Sequence, residues 1–424
     1  MGRLDFVFTK CPACKGGVFY STQDGNFLRV YEEDDMTQTI ALPICAIMTL
    51  LACLVIQGVA YGEIVQKGVV LLVEFPDVKH GVDRNFVQER FSRKLNSYVK
   101  EMSYNKVSLE MDVTREWYKL PDPIGRYKIS PRNLEVDKSR VRKLIDDAID
   151  AADKEVDFSK YAFAAIFMGA KVTDYGMVGL CGYPGMLGWS EKVTLRTRSN
   201  QVIQGGVAVF CYQAHLGTLF HDIAHILGGV KDGKRTVPCL YDHDLQAKPG
   251  PMRETFVNAT INMGFWDPMS CHFFKREVPP PGISSWTKMR LNWIDPSKIK
   301  TLYPGERAEF ILGPLGDGSS EILAIKIPIS RYTYYLIENR QLIGFDKNLP
   351  GSGVLIMFVD DTIGECRHGK APVKLIYADP SVPYLEGAAF DIVKKDNFHD
   401  EKNRIRIELK EKMGSSYKIL VSPL

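Results

Sequence analysis

A chain of 424 residues with 45% hydrophobic and 25% charged residues has the apolar content for one large domain or two to three smaller ones. Its 11% aromatics and formal net charge of +3 exclude global disorder. The same mild charge excludes nucleic acid as the main partner.

Four regions are predicted: a tail at 1–35, a membrane-targeting segment at 36–62, a body at 63–297 and a β-rich domain at 298–424. The tail carries Cys11-Pro-Ala-Cys14, half of a zinc-ribbon ligand set with no second CxxC to complete it. From Ile40 to Ile56 the chain reads IALPICAIMTLLACLVI without a charged residue. Extended to Ala60, this is roughly the 20 residues that cross a 30 Å hydrocarbon core, so residues 40–60 are expected to meet a membrane. Soluble helices rarely stay apolar on every face for so long. Two versions stay open. One is a single-pass anchor; the other is a signal peptide starting at Met36, with Ala60-Tyr61-Gly62 as its cleavage site. In both, the remainder is expected outside the cytoplasm, membrane-anchored or secreted.

Gly68–Phe75 (GVVLLVEF) is a continuous apolar run that suits a strand buried on both faces. Phe86, Phe91, Leu95, Tyr98 and Met102 recur at near-helical spacing and predict an amphipathic helix. A second helix is predicted over Glu135–Asp153, with Val141, Leu144, Ile145, Ala148, Ile149 and Ala152 as its stripe and Asp146, Asp147, Asp150 and Asp153 as its solvated face. Tyr161–Met168 reads as another buried strand. Strand, helix, helix, strand indicates an α/β core. A Gly-rich stretch from Gly169 to about Gly206 follows, then a strand at Val207–Cys211 and a helix ending at Gly228-Gly229. Beyond Trp293 the segments 321–328, 332–338, 353–358 and 404–409 alternate like strands between turn signals.

The helix after Cys211 contains His221-Asp222-Ile223-Ala224-His225. Histidines at i and i+4 stand on one helical face, so both imidazoles reach one ion, and zinc accepts such nitrogens at about 2.0–2.1 Å. The metalloprotease version, H-E-x-x-H, places a glutamate beside the first histidine as general base. Here Asp222 stands in that place. Gly228 sits where long zinc motifs turn toward a third ligand. Asp232 and the run Tyr241-Asp242-His243-Asp244 supply candidates for that ligand. Trp266-Asp-Pro-Met269-Ser270 is similar to the methionine-containing bend beneath the metal in metzincins.

These features together resemble the immune inhibitor A type of secreted zinc metalloproteases. The resemblance extends to VVLLVEFPDV (69–78), SYVKEMSYNKVSLEMDVTREWYKLP (97–121), PPPGISSWTKMRLNWI (279–294) and YYLIENRQLIGFDKNLPGSGVLIMFVD (334–360). It covers roughly residues 65–420. It implies a metzincin-like catalytic domain of α+β or α/β class, followed by a sandwich-like β-rich domain. It also implies one zinc ion and hydrolysis of extracellular polypeptides. His221 and His225 match the zinc-binding histidines, Asp222 the general base and Met269 the Met-turn. The family's H-x-x-G-x-x-D pattern would put its aspartate at position 231, which holds Lys231. Asp232, displaced by one, is then the favoured third ligand, with Asp242 and His243 as alternatives.

Aspartate is shorter than glutamate by one carbon–carbon bond, about 1.5 Å. A general base must come within about 2.6–3.2 Å of the proton it takes. Two functions from different classes follow: a slow zinc endopeptidase, or a pseudo-protease that keeps the fold as an extracellular binding or adhesion module. A third, an HD-type metal phosphohydrolase built on His221-Asp222, would need an all-helical fold. Asp360-Asp361 is a candidate calcium contact, and His272 is read as a surface histidine, with the cleft as its alternative place. Of nine cysteines, Cys181, Cys211, Cys239, Cys271 and Cys366 lie in the exported body; five is odd, so at most two disulfides form there and one thiol is left over.

Overall fold

The computed structural model describes residues 19–21, 27–29, 63–190, 194–245 and 262–424. The CxxC of Cys11 and Cys14 and the apolar segment 40–60 lie outside the described residues. The chain divides into two units, 1–61 and 62–424. In the first, β1 (Phe19–Ser21) pairs antiparallel with β2 (Phe27–Arg29), Phe19 opposite Arg29. No helix among the described residues is long and apolar enough to cross a membrane.

The second unit is of α+β class, with several sheets and few helices. Its first sheet contains β3 (Ile64–Glu74), β4 (Val107–Val113), β5 (Tyr118–Lys119), β6 (Phe163–Met168), β7 (Gly179–Tyr183) and β10 (Val207–Cys211). The order is β4-β3-β6-β10-β7, with β5 beside the end of β3. All pairings are parallel except that of β7, which runs antiparallel to β10 at the margin.

Strand alternation explains the layers, because successive side chains point to opposite faces. Val70 and Leu72, Ala165 and Phe167, and Ala208 and Phe210 face one way. Val69, Leu71 and Val73, Ile166 and Met168, and Val207 and Val209 face the other. The first face is covered by Phe91, Leu95, Tyr98 and Met102, from a helical run that joins α1 (Arg84–Gln88) and α2 (Asn96–Met102) through a π-helical stretch, Glu89–Leu95. The second face takes the predicted stripe of α3 (Lys138–Ala152), which starts where Asp137 accepts from the amides of Ser139 and Arg140. A single turn, α4 (Val172–Tyr175), links β6 to β7.

Three expectations change. β4 stands between the two helices, so the order is strand, helix, strand, strand, helix, strand. The Gly-rich stretch holds the marginal strand β7 and a hairpin of β8 (Thr194–Arg196) and β9 (Val202–Gln204). The acidic face of α3 is not simply solvated: Asp147 accepts from Tyr127 Oη at 2.7 Å and Asp150 pairs with Arg198 at 2.6 Å. Asp153 is buried, and accepts from Ser199 N and Oγ at 2.7 Å and Gln201 Nε2 at 3.0 Å, tying the hairpin to the helix.

Burial alone would raise the Asp153 carboxyl, but Thr197, Ser199 and Gln201 hold it down at about 2. A carboxylate depressed in the folded state contributes stability that is complete above its ordinary value of 3.8 and lost as pH falls through about 2. Asp153→Ala is expected to cost about 1–3 kcal/mol at neutral pH, with the deficit narrowing as pH falls from about 4 toward 2. Urea unfolding across that range checks it; a deficit that does not move with pH would refute the charged-acceptor account.

Past residue 298, β13 (Ile299–Thr301), β15 (Ala324–Pro328), β16 (Thr333–Arg340), β17 (Gly353–Asp360) and β18 (Val373–Leu375) form a five-stranded sheet. β14 (Ala308–Leu312), β21 (Ser416–Pro423), β20 (Ile405–Met413) and β19 (Asn397–Asp400) form a four-stranded one. Ile325, Ile337 and Ile356 of the first pack with Leu312, Ile407 and Ile419 of the second, giving a sandwich core. The other face of the five-stranded sheet, through Ala324, Leu336, Leu355 and Met357, joins the cluster containing Trp266, Met269 and Trp286. The boundary expected near 298 therefore marks a change of architecture inside one continuous core.

Candidate metal centre

α5 (Leu216–Gly228) begins at His215, whose Nδ1 accepts from the Gly217 amide and whose Nε2 donates to the Val278 carbonyl. Its first turn presses on the segment after the bend. A Cβ on Gly217 would stand 1.7 Å from the His272 carbonyl oxygen, so only glycine permits this approach. Every residue from Gly217 to His225 is buried, including Thr218, His221, Asp222 and His225.

The two histidines have fixed tautomers. His221 Nδ1 lies 3.0 Å from the Pro268 carbonyl, and His225 Nδ1 lies 2.7 Å from the Val237 carbonyl. A carbonyl can only accept, so both Nδ1 atoms carry hydrogen, and each Nε2 presents a lone pair when its ring is neutral. Those lone pairs converge on Cys239 Sγ, 3.5 Å from each. A cation between the three atoms satisfies all of them. Tetrahedral zinc, with Zn–N near 2.0–2.1 Å and Zn–S near 2.3 Å, requires N···S separations of about 3.6 Å. Among the described residues, His221, His225 and Cys239 are the one group of three or more such donors close enough to share an ion.

Burial would raise the Cys239 thiol, but the Arg235 guanidinium and the two imidazoles outweigh it and hold it well below its ordinary value. Burial pushes His225 down to about 4. Burial would lower His221 as well, but its bond to Cys239 and the charges of Cys239 and Asp222 outweigh it and raise it. Metal binding needs a thiolate and neutral imidazoles, the states toward which Cys239 and His225 are shifted. Arg235 is itself buried; its Nη2 lies 3.6 Å from Cys239 Sγ, and Glu365 accepts from its Nε and Nη2 at 2.9 Å.

Asp232 is not among the converging donors. It sits at φ +52° in the exposed turn between β11 (Val230–Lys231) and β12 (Lys234–Arg235), followed by Gly233 at φ +71°. Two consecutive left-handed residues make the tight hairpin turn for which Asp-Gly is the preferred pair. The hairpin returns the chain to Val237 and Cys239, so the converging thiol stands eleven residues after Gly228. Asp242 is buried and staples loops, accepting from the amides of Asp244, Leu245 and Gly369. His243 stacks on Tyr241 and lines the cleft without joining the cluster.

Residues 268–270 form a turn that meets α5 at His221. Pro268 supplies the carbonyl that orients His221, and the buried Met269 accepts at its own carbonyl from the Leu240 amide. Asp267 shapes the bend: Oδ1 accepts from the Met269 amide at 2.8 Å, and Oδ2 from Ser284 Oγ at 2.6 Å and Thr287 Oγ1 at 2.7 Å. These last two belong to the start of α6 (Ser285–Arg290). The sandwich holds the bend as well. Buried Arg340 of β16 donates to the Trp266 carbonyl while pairing with Glu338 and Asp346, and Trp266 Nε1 donates to the Leu385 carbonyl.

Asp222 is buried beside the histidines, and its Oδ2 has no hydrogen-bond partner among the described residues. Burial pushes its carboxyl up to about 7. A Cβ on Gly179 of β7 would stand 2.8 Å from that Oδ2, so a glycine there leaves room for the carboxylate. The centre opens into a cleft of about 590 Å³ walled by β7, the loop after it and Tyr241. His272 lines this cleft rather than the outer surface, its Nδ1 2.9 Å from Thr218 Oγ1.

None of the five body cysteines is bridged to another described cysteine. Cys181, Cys211 and Cys271 donate to the carbonyls of Pro184, Met177 and Phe273, and Cys239 faces the histidines. Asp361 pairs with Arg290, and Asp360 caps its own turn by accepting from Thr362. No family model matches the chain, and no curated protein matches it.

Proposed function

We propose that the chain is a zinc-dependent metalloendopeptidase of the metzincin-like, immune inhibitor A type, acting on polypeptides outside the cytoplasm. The observation that carries this is the convergence of His221 Nε2, His225 Nε2 and Cys239 Sγ at tetrahedral spacing, above a methionine bend and beside an unpartnered carboxylate oxygen. His221, His225 and Cys239 would hold the zinc, and Cys239 replaces Asp232 as the third ligand. Bound zinc supplies Lewis-acid polarisation of a peptide carbonyl.

The chain's own groups do the rest. Asp222 Oδ2 accepts the proton of the attacking water and returns it to the leaving amine. The carbonyls of Pro268 and Val237 keep both imidazoles in the ligand tautomer. The polypeptide substrate is supported by β7. It is the outermost strand of its sheet, Gly179–Cys181 line the cleft, and an extended chain laid along such a strand pairs through its backbone. Export and membrane attachment rest on the apolar segment 40–60.

The short Asp222 favours a second reading, an inactive protease-like binding module. The phosphohydrolase reading loses its ground, since the frame around His221 is a mixed sheet and not an all-helical one. The test is metal analysis of the full chain beside His221→Ala, with peptide cleavage followed by mass spectrometry. About one zinc per chain in the wild type and little in the variant is expected, with cleavage tracking zinc. Equal zinc in both would overturn the metal centre; full zinc with no cleavage would favour the binding module.

A further inference from the structure

The cleft around the proposed centre is chemically lopsided. Its charged lining side chains are Lys138, Arg235 and Arg367 against the single carboxylate of Asp222, while the Cys239 thiolate is turned inward to the histidines. Both arginines are held from outside the cleft lining. Glu365 takes two nitrogens of Arg235, and Asp244 accepts from Arg367 Nε at 2.5 Å and Nη2 at 2.9 Å. Such clamps fix a guanidinium before any ligand arrives, so less side-chain entropy is lost on binding. Lys138, exposed at the first residue of α3, adds a third cation to the lining.

Large apolar groups stand among these cations. Leu134 is 55% exposed and Trp189 44% exposed, and both line the cleft with half-buried Met186. The Arg235 guanidinium lies over the Trp189 ring at 5.6 Å from its centroid, so an apolar surface and a fixed cation share one side of the cleft. Exposed side chains of this size around a concave site are binding surface more often than packing.

We infer that the cleft takes polypeptide segments in which an acidic side chain lies next to a large apolar one, and disfavours segments with lysine or arginine there. This deepens the peptidase reading and rests on its placement of the chain along β7. The apolar residue lies against Trp189 and Leu134, and the carboxylate meets the guanidinium edges and the Lys138 ammonium.

The test uses the zinc-loaded full chain and two fluorescein-labelled peptide libraries of equal length, one pairing Phe or Leu with Asp or Glu, the other pairing them with Lys or Arg. Binding is read by fluorescence anisotropy at low and high salt, and cleavage by mass spectrometry. The acidic library is expected to bind roughly tenfold tighter at low salt, with the gap shrinking as salt screens the exposed charges. Lys138→Glu is expected to narrow the gap about three- to tenfold; glutamate suits a helix's first turn, so this variant folds. Arg367→Gln is the second variant, checked for unchanged zinc content. Equal or tighter binding of the basic library, or a preference unmoved in both variants, overturns the inference. Charge-selective binding without cleavage leaves it standing and removes the peptidase reading. Cleavage without charge preference does the reverse.

Discussion

Cys239→Ala is expected to lower zinc affinity by more than about a hundredfold while leaving the fold intact. Losing an outer-shell partner costs 10–100-fold in metal affinity, and loss of a direct thiolate ligand exceeds that. The variant removes one of three donors and leaves two buried imidazole lone pairs facing a void. It also leaves Arg235 beside the histidines with its thiolate gone but with Glu365 still bound, so the local charge stays paired. Zinc titration against a competing chelator gives the affinity, and circular dichroism gives the fold. Affinity within a fewfold of wild type would mean that Asp232, Asp242 or an outside ligand completes the site. A cobalt-substituted sample offers a cross-check, since thiolate-to-cobalt absorption must vanish with Cys239.

Asp222→Glu is expected to raise the rate of peptide cleavage by about 10²-fold, the lower end of what a well-placed general base contributes. The longer side chain carries its carboxylate about 1.5 Å further from the helix axis. Room behind it is already limited by Gly179, so extension toward the open cleft is the available direction. Asp222→Asn keeps the size, removes the acceptor charge and should abolish what activity exists. Zinc content should hold in both, since neither variant alters a donor. No cleavage by the glutamate variant at full zinc occupancy would sink the slow-protease account and leave the binding module.

The layers were readable because burial follows side-chain period: GVVLLVEF, YAFAAIFM and VAVFC all became central parallel strands, and the 135–153 stripe became α3. β4 is equally readable in VSLEMDV, whose alternation is that of a half-buried strand. β7 was not, because GLCGY carries too little apolar periodicity; its place is set by pairing with β10 and by the approach of Asp222.

At the site, the i, i+4 histidines and the WDPMS bend could be placed from spacing alone. The third donor could not. Asp232 drew attention by nearness to the expected position, yet Asp-Gly between two lysines is a hairpin signal, and a residue at such a tip points away from the helix it follows. The odd cysteine count was the signal for Cys239. A thiol left over after pairing is a candidate ligand, a role that a count read only as disulfides conceals.

The contact of Arg340 with the Trp266 carbonyl ties the sandwich to the bend that orients His221. In thermodynamic terms this makes the two ends of the chain reciprocal. If a disturbance of the buried Glu338–Arg340–Asp346 triad weakens zinc affinity by some factor, zinc must stiffen that triad by the same factor. If zinc binds as proposed, the free energy of its binding is shared by both halves of the chain, and the ion would act as a long-range clasp on the sandwich sheet.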